Sequence, residues 1–437
     1  MHHVEITVPA SKSLSHRALI CAGLAEGVSP VENVLESDDL ARTRACLEAL
    51  GVCFEPMAEN LTVHGVGGRF AAEQAQLDVG ESGTTCRLMT AVAAAGSGSF
   101  TLAGQGRMHQ RPILPLAVAL QQLGCGFEWL QKEGFLPCRL HTHGLRGGRT
   151  AINLEDSSQF LSGLLLAAPL AADPVQIEIT GSRTVSWPYV ALTLEVMRDF
   201  GHEPVLEQST AQGWQPVAID DNPRVIPGQS RFRCQPGAYV PRTYRVEGDW
   251  SNASYFVAAG AIGPRAVRLS GLYPESRQGD RFIAEIVKQF GAHVQWGRDR
   301  LVVAPGELHG QELDMGHCPD LVPTVAVLAS LAQGRTVLTN IAHLQHKESD
   351  RLNAVANELR KVGAEVEVGP DTLHITARPL PRKPLRLSTY DDHRMAMALS
   401  LYQLAGVHIQ LDNPDCVAKS FPLFWQHWDR VRRSIVQ

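Results

Sequence analysis

Cations standing where helices should begin are the first sign of chemistry in this chain. Ser11-Lys12-Ser13-Leu14-Ser15-His16-Arg17 precedes a helix expected over 18–25. Hydroxyls and free backbone N–H groups at a helix start attract anions, and Lys12 and Arg17 add full charges. An ordinary N-cap with two solvated cations would look the same. Gly80-Glu81-Ser82-Gly83-Thr84-Thr85-Cys86-Arg87 leads into a helix expected over 88–95, and its glycines would let a ligand approach the backbone. Arg107-Met108-His109-Gln110-Arg111-Pro112 sets two arginines before a proline suited to a first helical turn. Asp156-Ser157-Ser158-Gln159 opens an apolar run and reads as an N-cap first, a ligand site second.

The second half holds denser clusters. Lys347-Glu348-Ser349-Asp350-Arg351 precedes a helix expected over 352–362, with Glu348 and Arg351 as i, i+3 neighbours. Basic residues oppose the dipole at a helix start, which favours a function over a merely solvated face. Tyr390-Asp391-Asp392-His393-Arg394 puts two acids, a histidine and an arginine at the mouth of another apolar helix, and Lys419 follows alone. The formal net charge is -5, yet cations gather at element ends. Such a chain suits a small, highly charged anion, each charge-assisted hydrogen bond contributing about 1.5–3 kcal/mol. From the residues alone the reading ends at a binder of phosphates and carboxylates between two lobes.

What must position these residues is a recurring local pattern: an amphipathic helix, a glycine that ends it, then a short strand. It occurs at Gly51, Gly124, Gly201, Gly291 and Gly363, and more weakly at Gly406. The pattern predicts six units of roughly 70 residues, three to a lobe, a period too long for a solenoid. A length of 437 residues suggests two or three domains. Hydrophobic residues make up 44% and charged ones 19%, which excludes a disordered chain. The acidic balance argues against coating nucleic acid or an anionic membrane.

The apolar stretch 160–172 is too short to span a bilayer and is expected as a buried helix. Met1-His2-His3-Val4-Glu5 has neither the basic nor the apolar region of a secretory signal. Nine scattered cysteines without a C-x-x-C predict reduced, buried thiols rather than disulfides or a zinc site. His141-Thr142-His143 is expected on one strand face, not as a metal pair. There is no Walker A loop and no G-x-G-x-x-G, so a dinucleotide fold has no support.

In their order these segments resemble the 5-enolpyruvylshikimate-3-phosphate synthases, a family of enolpyruvyl transferases. The resemblance runs through Pro9-Ala10-Ser11-Lys12-Ser13, Ser37-Asp38-Asp39, Gly83-Thr84 and Ser157-Ser158-Gln159-Phe160-Leu161. It continues through Val246-Glu247-Gly248-Asp249, Pro319-Asp320, Lys347-Glu348-Ser349-Asp350-Arg351-Leu352, Asp392-His393-Arg394-Met395-Ala396-Met397 and Ala418-Lys419-Ser420-Phe421-Pro422. It implies an α/β (α+β) fold of two lobes, each of three βαβαββ units, with the active site in the inter-lobe cleft. The first lobe would be 12–245, the second 1–11 with 246–437, the chain crossing near Pro9 and near Val246.

The resemblance also implies a reaction. Enolpyruvyl would pass from phosphoenolpyruvate to the 5-hydroxyl of shikimate 3-phosphate through a tetrahedral intermediate, with no metal and no organic cofactor. Asp320 and Glu348 would be the acid/base pair, Lys12 would bridge both substrates and His393 would assist. Shikimate 3-phosphate would meet Lys12, Ser13, Arg17, Ser157, Ser158, Ser186, Tyr189, Asp320, His343 and Lys347. Phosphoenolpyruvate would meet Lys12, Arg111, Gln159, Arg351, Arg394 and Lys419, with Gly83 leaving room beside it. Many members carry Asn where Glu81 stands, so Glu81 is expected to turn out of the site or meet a cation. Small molecules would be the only partners, without nucleic acid or membrane, for a cytoplasmic monomer.

Two rivals are weighed against this. One is the related transferase acting on UDP-N-acetylglucosamine, but Cys86 and Cys125 sit in no loop matching its cysteine-bearing one. The other is a non-catalytic anion-binding protein with the same fold, against which intact Lys12, Asp320, Glu348 and Arg394 speak.

Overall fold

The computed structural model describes residues 3–57, 60–219 and 225–436; Met1 and His2 of the N-terminal reading lie outside them. The chain divides into two compact units, Lys12–Val246, and Met1–Ser11 with Glu247–Gln437. Val246 stays with the former because its N–H donates to Glu32 O.

One plan recurs in both units. Strand Gln74–Asp78 pairs parallel with Ser97–Ala103, which pairs antiparallel with Cys138–His143, and that with Gly126–Trp129. Helices Gly83–Ala94 and Leu114–Gln122 make the connections, giving βαβαββ. A second copy uses Gly148–Asn153, Val175–Thr180, Ser230–Cys234 and Val205–Thr210, extended at its edge by Gly213–Pro216. The remaining sheet of Lys12–Val246 is permuted. Its strands Glu26–Glu32, Asn60–Val66 and Cys53–Met57 come early, and their parallel partner Tyr244–Arg245 comes last.

The other unit repeats the plan with Val4–Thr7, Val267–Ser270, Arg300–Ala304 and His293–Trp296. Glu312–Asp314, Arg335–Thr339, Thr372–Thr376 and Glu365–Val368 form the next copy. The last is reduced. Leu385–Leu387 pairs parallel with Ile409–Leu411, and among the described residues no third strand joins them. Where a hairpin would follow, the 3-10 helix Pro414–Lys419 and then helix Phe424–Val436 occupy the chain. Pro414 and Pro422 lack the N–H that a ladder needs.

All six pattern glycines end their helices at positive φ, from 81° at Gly406 to 117° at Gly291. Each closes the last turn in the same way: Gly291 N–H donates to Lys288 O and Ala292 N–H to Val287 O. The second helix of a copy is amphipathic; Ile283–Phe290 buries Ile283, Ala284, Ile286, Val287 and Phe290. The first helix is buried nearly all round. In Lys12–Leu24 every residue but Ser13 is buried, and in Gln159–Ala167 every residue from Phe160 onward. Polar groups on such helices are tolerable mainly at the ends, and it is the N-terminal ends that carry the anticipated site residues.

Helix starts differ from the expectation. Helices begin at Lys12 and Gly83 rather than at 18 and 88, so those two ligand segments are largely first turns; 347–350 stays a loop before the helix, which starts at Arg351 rather than 352. The helix after Arg111 starts at Leu114 with Pro115 in its first turn, leaving Pro112 outside. The apolar run 160–172 stays α-helical only to Ala167 and then tightens into the 3-10 helix Ala168–Leu170, where Pro169 removes a donor. His141 and His143 are exposed on one face of their strand around buried Thr142. The cysteines are unpaired, Cys53 exposed, Cys416 half-buried and the rest buried. No helix among the described residues is long and apolar enough to cross a membrane.

Candidate active site

In Lys12–Val246 most of the anticipated ligands stand in the first turns of helices, while Arg111 follows the 3-10 helix Gly106–Gln110. Lys12, first in its helix, donates to Asp39 Oδ2 at 3.0 Å, both side chains buried. Arg17 is buried one turn further on. It donates through Nε to Thr193 Oγ1 at 2.7 Å, through Nη1 to Ser13 O at 2.7 Å, and through Nη2 to Tyr189 O at 2.9 Å. These are neutral oxygens, and burial lowers the guanidinium to about 10. Arg17 therefore orders Ser13 and Tyr189, two of the anticipated phosphate-substrate contacts.

Ser186 caps helix Trp187–Asp199 in the left-handed region at φ 55°. Ser157 Oγ accepts the Gln159 N–H at 3.2 Å, Ser158 is the N-cap, and Gln159 Nε2 donates to Thr84 Oγ1 at 3.0 Å.

Arg111 lies against Gly83. A Cβ added to Gly83 would overlap the guanidinium, with Cζ only 2.6 Å away. Arg111 is 9% exposed, and its Nε and Nη1 have no hydrogen-bond acceptor. Arg87 is buried behind it, donating to Gly83 O and Pro112 O, both at 3.2 Å, and burial followed by Arg111 lowers it to about 9. Neither guanidinium has an ion-pair partner among the described residues. Two buried, uncompensated cations beside a glycine at a helix start make an anion seat. The Glu81 carboxylate packs against Gly106 and is exposed.

The other unit gathers its charges around Arg351, whose side chain is 2% exposed. Nε and Nη2 donate to Asp392 at 2.7 and 3.2 Å, Nη1 to Asp320 Oδ1 at 2.8 Å, and Nη2 also to Glu348 Oε2 at 2.5 Å. Arg394 Nη2 takes the second Asp320 oxygen at 2.8 Å. Lys419 Nζ stands 3.8 Å from Glu348 Oε1, and His393 Nδ1 3.4 Å from Glu348 Oε2. Lys347 faces Asp320 electrostatically. His343 is buried in the 3-10 helix Ala342–His346.

Local backbone explains the convergence. Asp320 sits in the 3-10 helix Pro319–Leu321, and Arg351 opens helix Arg351–Lys361. Asp392 caps helix His393–Leu399, accepting the Arg394 N–H at 3.0 Å. Tyr390 and Asp391 turn the chain into that cap at φ 56° and 54°.

Burial alone would raise the Asp320 carboxyl, but Arg394, Lys347 and Arg351 outweigh it and hold it well below the ordinary range. Asp392 is likewise held low, burial being overcome by Arg351. Arg351 is conversely raised by its three carboxylates despite burial. Asp320 is thus an ionised acceptor, and Glu348 a carboxylate among an arginine, a lysine and a histidine. Glu348, Asp392 and His393 also have ligand atoms within 4.8 Å of one another, but Arg351 already engages both carboxylates.

Asp39, Asp392 and Arg87 stand in segments that the sequence singles out, without a site role there, and Thr193 stands in none. Asp392 stands among the acids at a helix mouth and Asp39 in a resemblance segment; Thr193, inside helix Trp187–Asp199, carries no signal.

The sequence matches the family model for EPSP synthase (3-phosphoshikimate 1-carboxyvinyltransferase) over residues 3–428. A 3-phosphoshikimate 1-carboxyvinyltransferase of Shewanella denitrificans is 41% identical over 435 residues, 98% of this chain and 96% of that protein. One of a Sulfurovum species is 41% identical over 427 residues, 97% and 95% of the two chains. Among solved structures, EPSP synthase of Acinetobacter baumannii superposes with a TM-score of 0.75 at 26% identity, covering 98% of this chain and 95% of that one. Sequence along nearly the full length and fold agree: the chain belongs to the EPSP synthase family.

Proposed function

We propose that this chain transfers the enolpyruvyl group of phosphoenolpyruvate to the 5-hydroxyl of shikimate 3-phosphate, releasing phosphate. The hydroxyl oxygen bonds to C2 of phosphoenolpyruvate while C3 takes a proton. The tetrahedral adduct then returns that proton and expels phosphate, leaving the enol ether. The anion ligands carried by the two units act on this one substrate pair.

Asp320, ionised and doubly hydrogen-bonded to arginines, accepts the hydroxyl proton. Arg394, hydrogen-bonded to the other Asp320 oxygen, meets the carboxylate of phosphoenolpyruvate. Lys12, from the other unit, gives C3 its proton, and the Glu348 carboxylate takes one from C3 as phosphate leaves. Each such proton transfer contributes about 10²–10⁴-fold. Arg111 over Gly83 receives a phosphoenolpyruvate anion, and the Ser13, Ser157, Ser158, Ser186 and Tyr189 set, ordered in part by Arg17, receives shikimate 3-phosphate with Lys347 and His343. The enzyme works as a monomer in the cytoplasm, where unpaired thiols persist.

The observation that carries this reading is the Arg351 cluster: Asp320, Glu348 and Asp392 on one buried guanidinium, with Arg394 and Lys419 at its edge. The test is phosphate release from phosphoenolpyruvate, with shikimate 3-phosphate or UDP-N-acetylglucosamine as acceptor and Lys12→Ala and Glu348→Ala as controls. Release with the shikimate acceptor alone, lost in both variants, is the expected result. Release with the nucleotide sugar, or with neither, overturns it.

A further inference from the structure

Asp280 is a carboxyl group that the reaction above does not use. It stands in the 3-10 helix Gly279–Phe282 and is 3% exposed. Ser251 donates a short hydrogen bond to its Oδ2. Its Oδ1 is buried without a hydrogen-bond partner, and among the described residues no cation forms an ion pair with it. A buried carboxylate with no counter-ion is costly enough that such a group ordinarily keeps its proton.

The charges around it belong to the acid/base centre. Asp320 faces it from Pro319–Leu321, Arg394 from helix His393–Leu399, and Asp249 from the cap of helix Trp250–Ile262. The buried thiol of Cys318 adjoins the same carboxyls, and Arg281, on its own turn, is directed to Pro274 O instead.

We infer that Asp280 is a positioning residue acting through Asp320 and Arg394: neutral, it leaves Arg394 to Asp320 and to an anionic substrate; ionised, it draws Arg394 away and opposes charge on Asp320. Burial and then Asp320 push its carboxyl up to about 7, against Arg394 and Ser251, so the change falls in a working pH range. The inference rests on the proposed reaction only for the identity of the anion.

The experiment follows KM for phosphoenolpyruvate against pH in the wild type, Asp280→Asn and Ser251→Ala. Wild-type KM is expected to rise about tenfold per pH unit above neutrality, the slope of one ionising group. Asp280→Asn removes that rise. Ser251→Ala moves it to higher pH, because the lost donor favoured the ionised form. Superimposable wild-type and Asp280→Asn profiles, or a Ser251→Ala profile that does not move, overturn the inference.

A second readout needs no substrate. The unfolded chain releases this proton in the ordinary carboxylate range, while the folded chain keeps it. Wild-type urea midpoints should therefore fall relative to Asp280→Asn from about pH 4 to about pH 7 and then run parallel. A constant gap across that window overturns the inference. If the gap opens as expected but wild type releases no phosphate, the protonated carboxyl stands and the substrate assignment fails. Should Asp280→Asn not fold, the Ser251→Ala shift decides.

Discussion

Arg351 and Asp392 form a two-point ion pair, Nε to Oδ2 at 2.7 Å and Nη2 to Oδ1 at 3.2 Å, that ties the starts of helices Arg351–Lys361 and His393–Leu399 together. Asp392 is fully buried. Truncating it leaves a guanidinium in the core with two carboxylates that are themselves partly exposed. Asp392→Ala should cost about 3–5 kcal/mol, read as a lower urea midpoint. A loss under about 1 kcal/mol would mean the pair behaves as a surface contact.

Acid should act on the same pair. Asp320 and Asp392 are held low by cations that overcome burial. In the unfolded chain they protonate near pH 3.9, whereas the folded chain resists. Their stabilisation is complete above about pH 4 and is lost progressively as pH falls toward the depressed folded values. Urea midpoints measured downward from pH 5 should decline more gently in Asp392→Asn than in wild type. Parallel curves would remove Asp392 from the linkage.

Gly83→Ala would set a methyl group into the Arg111 guanidinium. The arginine has to move, and with it the anion seat. KM for phosphoenolpyruvate should rise about tenfold or more, some 1.4 kcal/mol, with KM for shikimate 3-phosphate changing less. Steady-state kinetics with each substrate varied decides. An unaltered phosphoenolpyruvate KM would separate Arg111 from that substrate.

Ser186 offers a test of opposite sign. A non-glycine residue at φ 55° and ψ 35° is strained by roughly 1 kcal/mol. Ser186→Gly should therefore stabilise the fold by up to about 1 kcal/mol while raising KM for shikimate 3-phosphate. Denaturation and kinetics on one preparation reveal the split. A variant that loses stability would show that the cap, not the ligand, fixes this conformation.

Local signals were legible in the sequence, distant partnerships were not. A glycine that closes a helix leaves its mark within a few residues, so all six copies could be traced before any strand was placed. The cation clusters could be read for the same reason. Their partners could not: Asp39 lies 27 residues from Lys12, Asp392 41 from Arg351, and Thr193 176 from Arg17. Helix starts were set late because polar first turns of buried helices have the composition of loops. The last copy reads as the weakest in the sequence, its glycine present, and the loss of its hairpin lies in the residues that follow.

The pairing of Val4–Thr7 with Val267–Ser270 carries a consequence for synthesis. Translation produces the first strand long before the second, with Glu5 and Arg268 263 residues apart. At ribosomal rates of about 5–20 residues per second, strand Val4–Thr7 waits many seconds with an open hydrogen-bonding edge. Tyr244–Arg245 imposes a similar delay on the sheet that begins at Glu26. Assembly of either unit therefore awaits residues made late, and the newborn chain is most vulnerable to aggregation in that interval.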